Sequence, residues 1–298
     1  MNRSPALLSR PLCLLTSLCL LNFSLLAGKC LDAAEAKPEP DQKVVYKSVG
    51  DVDLRLHIFL PPDSSDETPR PAIVFFFGGG WVGGSPSQFY GQSRALADRG
   101  MVAICAEYRV KKTHGTSPQE CVADGKSAMR WVRSHADRFN IDPERIAAGG
   151  GSAGGHVASA TATVAAFDAP SDDLAVSCLP SALVLFNPVF DNGPDGWGHD
   201  RVKDYWKEIS PLHRLTDSVP PTVIFLGTKD KLIPVATAKA FQSKLRDLGV
   251  RCDLHLYEGE SHGFFNRGEP YQDTLDKTIQ FLDSLGYVKS SKPSLVPN

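Results

Sequence analysis

Several kinds of pattern are missing from this chain of 298 residues, and each absence removes a class of chemistry. There is no C-x-x-C pair and no H-E-x-x-H, so metal sites lack support. There is no G-x-x-x-x-G-K-[ST], and no G-x-G-x-x-G follows a first strand with a suitable acidic partner, so neither nucleotide loop is supported. Charge of one sign is not in excess: 32 Lys and Arg stand against 34 Asp and Glu, for a formal net charge of −2. That leaves no global electrostatic case for nucleic acid or an anionic membrane surface. No low-complexity tract or internal repeat is visible. No cofactor and no metal are expected.

Cysteine is sparse, at seven residues. Cys13 and Cys19 fall in an N-terminal segment of distinct composition. Cys105 and Cys252 sit in apolar, strand-like runs, where a buried free thiol is the ordinary state. Cys121 and Cys178 are left as a pair that sequence neither joins nor separates.

The N-terminal segment has the layout of a secretory signal. Arg3 and Arg10 form a basic region, and an apolar run extends from Leu12 to Ala27, interrupted by Thr16, Ser17, Asn22 and Ser24. Small residues Ala33, Ala34 and Ala36 follow, then a polar stretch from Lys37. Cleavage after Ala36 satisfies the A-x-A rule; a site nearer Ala27 is the alternative. The run is short for a spanning helix, and an uncleaved anchor is the competing reading. Cys30 is preceded by Lys29, which does not suit a lipoprotein signal. The expected division is a signal over 1–36, a catalytic domain over 43–287 and a loose tail over 288–298. Export to the periplasm or beyond the cell is the expected destination, without stable membrane insertion.

Beyond that segment, strands alternate with helices. Val44 to Val49 and Val52 to Leu60 alternate polar and apolar residues around Gly50-Asp51, as an edge hairpin does. Ala72–Phe77, Met101–Ala106, Arg145–Gly149, Ala182–Phe186, Thr222–Leu226 and Asp253–Tyr257 are short buried runs. Helical patterns cover Gln88–Arg99, Pro118–Phe139, Ala153–Ala166, Val235–Leu248 and Tyr271–Leu285. Such alternation predicts an α/β fold: a mostly parallel central sheet of about eight strands with helices on both faces. Asn187 to Val219 is the one long insertion between strands.

Gly150-Gly151-Ser152-Ala153-Gly154 fits G-x-S-x-G, a sharp strand-to-helix turn that presents a nucleophilic serine. A buried strand precedes it and small, helix-compatible residues follow, so the context agrees. A serine hydroxyl needs a base to take its proton, and a carboxylate to orient that base. Chain order in this kind of fold is Ser, acid, His. Asp230 directly follows an apolar strand, where catalytic groups gather in open α/β sheets, and is the expected acid. Asp191 is the rival, and a turn or helix-cap role is the plain alternative for Asp230. His262, between Ser261 and Gly263 after the last strand, is the expected base. His156, four residues past the serine, is expected to pack or cap, and His199 is a candidate to line the cleft.

Phe77-Gly78-Gly79-Gly80-Trp81 follows the third strand. Glycines there allow backbone N–H groups to approach a developing oxyanion. Gly79, Gly80 and Ala153 are the expected donors. Trp81, immediately after them, is expected to border the acyl side of the cleft and favour short chains; packing beneath the loop is the alternative.

With these residues in place the chain resembles the α/β-hydrolase superfamily. Within it, the chain is similar to the carboxylesterase/lipase group related to hormone-sensitive lipase and to bacterial acetyl and feruloyl esterases. The resemblance spans Lys43 to Leu285. It rests on Gly78-Gly79-Gly80-Trp81, Glu107-Tyr108-Arg109, Ile141-Asp142-Pro143-Glu144-Arg145-Ile146 with the serine motif, and Asp230 with Ser261-His262-Gly263. Where the family usually has His before the glycines, this chain has Phe77, so a histidine hydrogen bond cannot shape the loop. The resemblance implies a serine carboxylesterase acting on short-acyl esters through an acyl-enzyme, with acetyl or feruloyl groups on polysaccharides as candidates. The expected partner is a small-molecule or polysaccharide-linked ester, with no nucleic acid. A prolyl-oligopeptidase-like peptidase or amidase shares the fold and triad. A binding module that kept the fold without catalysis is the reading from another class. Neither the acyl group nor the oligomeric state is legible in the sequence.

Overall fold

The computed structural model describes residues 38–62 and 68–288. The segment 1–36 expected to be a signal, and the tail beyond Val288, lie outside the described residues. Val288 itself, assigned to the loose tail from sequence, is buried beside Tyr287.

Eight strands form one sheet: β1 Gln42–Val49, β2 Val52–Phe59, β3 Arg70–Phe76, β4 Val102–Ala106, β5 Ile141–Gly151, β6 Leu183–Phe186, β7 Thr222–Gly227 and β8 Cys252–Tyr257. Their spatial order is β1-β2-β4-β3-β5-β6-β7-β8. The β1–β2 and β2–β4 pairings are antiparallel, and all others are parallel. The predicted hairpin is therefore the sheet's edge.

Period-two alternation separates two cores. On β3, Ala72, Val74 and Phe76 point into one cluster, and Ile73 and Phe75 into the other. Helices α3 Pro118–Ser134, α4 Ala153–Thr163 and α6 Val235–Asp247 supply apolar residues to the first cluster. Helices α1 Tyr90–Ala97 and α7 Gly268–Ser284 cover the second face. Two short helices complete the set: α2 Lys111–His114 and, inside the insertion, α5 Trp206–Ile209. Both cores bury side chains on a central strand, which explains why β3 reads as a continuous apolar run.

Two boundaries differ from the sequence reading. Strand β5 begins at Ile141 rather than Arg145, because Arg70 pairs with Ile141 before a register irregularity resets the ladder at Ala72. The helix over 118–139 ends at Ser134, and a 3-10 turn over Ala136–Phe139 finishes on Asn140 with φ 51°. At its start, α3 carries a capping box: Ser117 and Glu120 exchange hydrogen bonds around Pro118.

Candidate active site

The C-terminal ends of β3, β5, β6, β7 and β8 deliver the site's residues to one edge of the sheet. Ser152 leaves β5 with φ 54° and ψ −120°, a conformation that costs about 1–3 kcal/mol for a non-glycine residue. Its surroundings over-determine it. Ser152 N donates to Phe186 O at 2.9 Å. Helix α4 then starts so close to β3 that a Cβ on Gly154 would lie 2.1 Å from Phe76 O. Glycine there is a steric requirement of the turn.

Asp230 follows β7 through a turn in which its N–H reaches Gly227 O at 3.2 Å. Its side chain is fully buried. Oδ1 accepts from Leu232 N at 2.8 Å and from Ile233 N at 2.9 Å. Oδ2 then faces His262 Nδ1 at 2.7 Å. An ionised carboxylate only accepts, so Nδ1 carries the proton and Nε2 presents a lone pair. That nitrogen stands 2.8 Å from Ser152 Oγ. The structure thus brings Ser152, His262 and Asp230 into one hydrogen-bonded line. Asp191 is elsewhere: it accepts from Gly193 N at 2.7 Å and lies 3.7 Å from His213. His199 bonds the Asn192 carbonyl at 2.8 Å instead of facing the cleft.

The glycine loop is held by groups other than a histidine. Phe77 stacks on Tyr108 with ring centroids 4.1 Å apart, and the Tyr108 hydroxyl donates to Phe77 O at 2.5 Å. Gly78 N donates to Gln88 Oε1 at 2.6 Å. Gly79 O accepts from Val82 N and Gly83 N, and Arg201 donates to Gly80 O at 2.6 Å. Among the described residues, no protein group accepts from the N–H of Gly79, Gly80 or Ala153. Gly79 and Gly80 line a cavity of about 280 Å³ together with Ser152, His262, Trp197 and Leu232. Ala153 N opens helix α4, whose N-terminal dipole favours negative charge.

Trp81 does not border this cavity, which corrects the sequence expectation. It is 1% exposed and has φ 59°. That left-handed turn directs the indole inward, against His156 at 5.0 Å and Trp197 at 5.3 Å between centroids. The aromatics that line the cleft are Trp197, from the insertion, and Phe265. His156 packs, as expected: it is fully buried, its Nε2 meets Ile209 O at 3.0 Å, and burial pushes its imidazole down to about 4. The four described cysteines, Cys105, Cys121, Cys178 and Cys252, are all free and buried. Cys121 and Cys178 are therefore not paired.

Sequence reasoning missed the supporting residues. Asn187, buried at the end of β6, accepts from Gly263 N at 2.9 Å and so fixes the loop that carries His262. Gln88 holds Gly78 and also donates to Asn266 at 3.1 Å, while Asn266 donates to Gly263 O at 2.8 Å. This amide chain ties the glycine loop to the histidine loop. The one signal that pointed to Asn187 was its position directly after a parallel strand.

Comparison with known proteins agrees with this geometry. A family model described as BD-FAE matches residues 56–179, and the dienelactone hydrolase family model matches residues 197–292. Esterase 2 of Thermogutta terrifontis in its apo form aligns with a TM-score of 0.81 and 42% identity, covering 88% of this chain and all of that one (100%). The butyrate-bound form of the same esterase aligns with a TM-score of 0.80 and 42% identity, over 84% of this chain and 96% of that one. Esterase LipC of Mycobacterium tuberculosis is 31% identical over 219 residues, 66% of this chain and 53% of its own length. The acetylxylan esterase of Xylanibacter ruminicola is 26% identical over 287 residues, 90% of this chain and 55% of its own. The chain spans about half the length of these curated relatives. It belongs to the α/β-hydrolase superfamily, among the serine carboxylesterases.

Proposed function

We propose that this chain is an exported serine esterase that hydrolyses short-acyl esters, with acetyl or feruloyl groups on polysaccharides as candidate substrates. The line from Asp230 through His262 to Ser152 carries the reading. His262 Nε2 takes the Ser152 hydroxyl proton as Oγ attacks the ester carbonyl. The carbonyl oxygen becomes an oxyanion, for which the N–H groups of Gly79, Gly80 and Ala153 are the donors. One such donor is typically worth about 10²–10³ in rate. Collapse expels the alcohol, which receives the proton from His262, and leaves an acyl-Ser152. Water, deprotonated by the same imidazole, attacks the acyl carbon and releases the acid, restoring Ser152.

Cavity size supports short acyl chains. About 280 Å³ lies just below the range for ligand pockets, about 300–1,000 Å³. The butyrate-bound neighbour and the acetylxylan esterase relative point the same way. Export is read from the basic and apolar N-terminal segment alone.

Purified protein is to be assayed on p-nitrophenyl esters from acetate to decanoate, and on acetylated xylan and methyl ferulate. Acetate to butyrate should be turned over fastest. Preference for decanoate, with activation at an oil–water interface, would overturn the short-acyl reading. Release of acetate from xylan or of ferulate from its methyl ester would choose between the two candidates.

A further inference from the structure

Arg201 ends a 3-10 turn, His199–Arg201, in the insertion. The turn is seated on Trp81: a Cβ on Gly198 would lie 2.8 Å from that indole. From there Arg201 reaches two residues that line the catalytic cavity. Its Nη1 donates to Gly80 O at 2.6 Å. Its guanidinium lies over the Trp197 ring, 4.9 Å from the centroid, a geometry that holds the charge without neutralising it.

The remainder of the guanidinium is unspent. An arginine has five N–H donors, and among the described residues only Nη1 of Arg201 is engaged, by a carbonyl. The side chain is exposed. Asp195, Asp200 and Asp204, its acidic neighbours along the chain, are exposed too, and none forms an ion pair with it. On the loop's other flank, Lys111 N and Lys112 N each donate at 2.9 Å, to Trp81 O and Val82 O. Both lysines are exposed. A chain with net charge −2 thus sets exposed cations on both flanks of its glycine loop, and of these Arg201 is the one in contact with cavity-lining residues. A low-polarity wall beside a fixed guanidinium favours a planar, bidentate anion.

We propose that Arg201, braced on Trp197, is an anion subsite of the cleft, and that the esters this site serves carry a carboxylate beside the scissile group. The inference rests on the esterase reading and narrows its substrate class to acidic esters. Arg201 does not touch the reacting atoms. Its charge selects and orients the substrate from one side of the oxyanion loop.

Matched substrates test it. On the acyl side, ethyl hydrogen succinate is compared with diethyl succinate, per ester bond. On the alcohol side, 3-acetoxybenzoic acid is compared with its methyl ester. For the wild type, the acid member of at least one pair should exceed its neutral partner by about three- to tenfold in kcat/KM. The preference should shrink as salt is added. R201Q should bring that ratio to one or below, and R201K should keep part of it. The ratio is the readout because Arg201 also holds Gly80 O, so R201Q can slow both members of a pair. An equal loss on both, with the ratio unchanged, would make Arg201 a loop brace only and overturn the subsite. So would wild-type preference for the neutral member of both pairs. Hydrolysis of p-nitrophenyl acetate by the wild type is the control. With it, a missing acid preference sinks the subsite alone; without it, the esterase reading falls as well.

Discussion

At the scale of residues, the site separates groups that react from groups that hold them. Ser152→Ala should lower kcat by about 10⁴ or more while the protein remains folded, since the Ser152 side chain makes no helix-capping bond and alanine removes only its contact with His262. A serine-directed organophosphate should label Ser152 alone, as read by peptide mass mapping. Asp230→Asn keeps its shape but reverses what Oδ2 offers to Nδ1, and should cost about 10⁴ in kcat. Asp191→Asn should be mild, because Asp191 faces His213 and not His262. His156 affects stability instead. Burial pushes its imidazole down to about 4, so between that value and the ordinary 6.5 the unfolded chain binds the proton and the fold does not. The contribution of neutral His156 is therefore complete above about pH 6.5 and is lost as pH falls toward 4, by about 3 kcal/mol. Thermal unfolding of wild type and His156→Gln should differ most at neutral pH, with the gap narrowing on acidification. A gap that stays constant would mean that His156 is not the group being titrated.

At the scale of elements, the ends of strands were readable and the long insertion was not. Strand, turn and helix around Ser152 follow from local pattern, and so do Asp230 after β7 and His262 after β8. Each of these is set within a few residues of an apolar run. Trp197 reaches the cavity, and Arg201 the Gly80 carbonyl beside it, only because the insertion folds back over Gly80, a juxtaposition with no counterpart in spacing along the chain. Trp81 was misplaced for a related reason. Adjacency to the glycines fixes where its backbone lies, but its positive φ sends the side chain to the opposite side of the loop. The two tryptophans should consequently behave differently. Trp81→Ala removes a side chain packed in the core and should cost about 3–5 kcal/mol in a denaturant titration. Trp197→Ala should leave stability closer to wild type and shift the acyl-length profile of p-nitrophenyl esters toward longer chains. Equal destabilisation by both changes would argue that Trp197 is core as well.

At the scale of the whole molecule, one sheet with a core on each face supports a catalytic edge built from five strand ends and the insertion. Residues about 110 positions apart, Ser152 and His262, meet there. The fold class was legible because a doubly covered parallel sheet writes apolar runs into its strands and amphipathic patterns into its helices. The amide chain through Gln88 and Asn266 was not, because polar side chains at strand ends look alike until the loops close. The free cysteines have a practical use at this scale. Burial pushes the thiols of Cys105 and Cys252 up to about 12 and raises those of Cys121 and Cys178, so none offers a thiolate to a reagent while the protein is closed. The four sit on β4, α3, the segment before β6, and β8. They divide the molecule into separately addressable regions, each with a built-in reporter of its own opening. Pulse alkylation followed by peptide mapping would then time the exposure of each region in an unmodified chain. Simultaneous labelling of all four would mark a single cooperative unit, and early labelling of Cys252 would mark a sheet that unzips from its β8 edge.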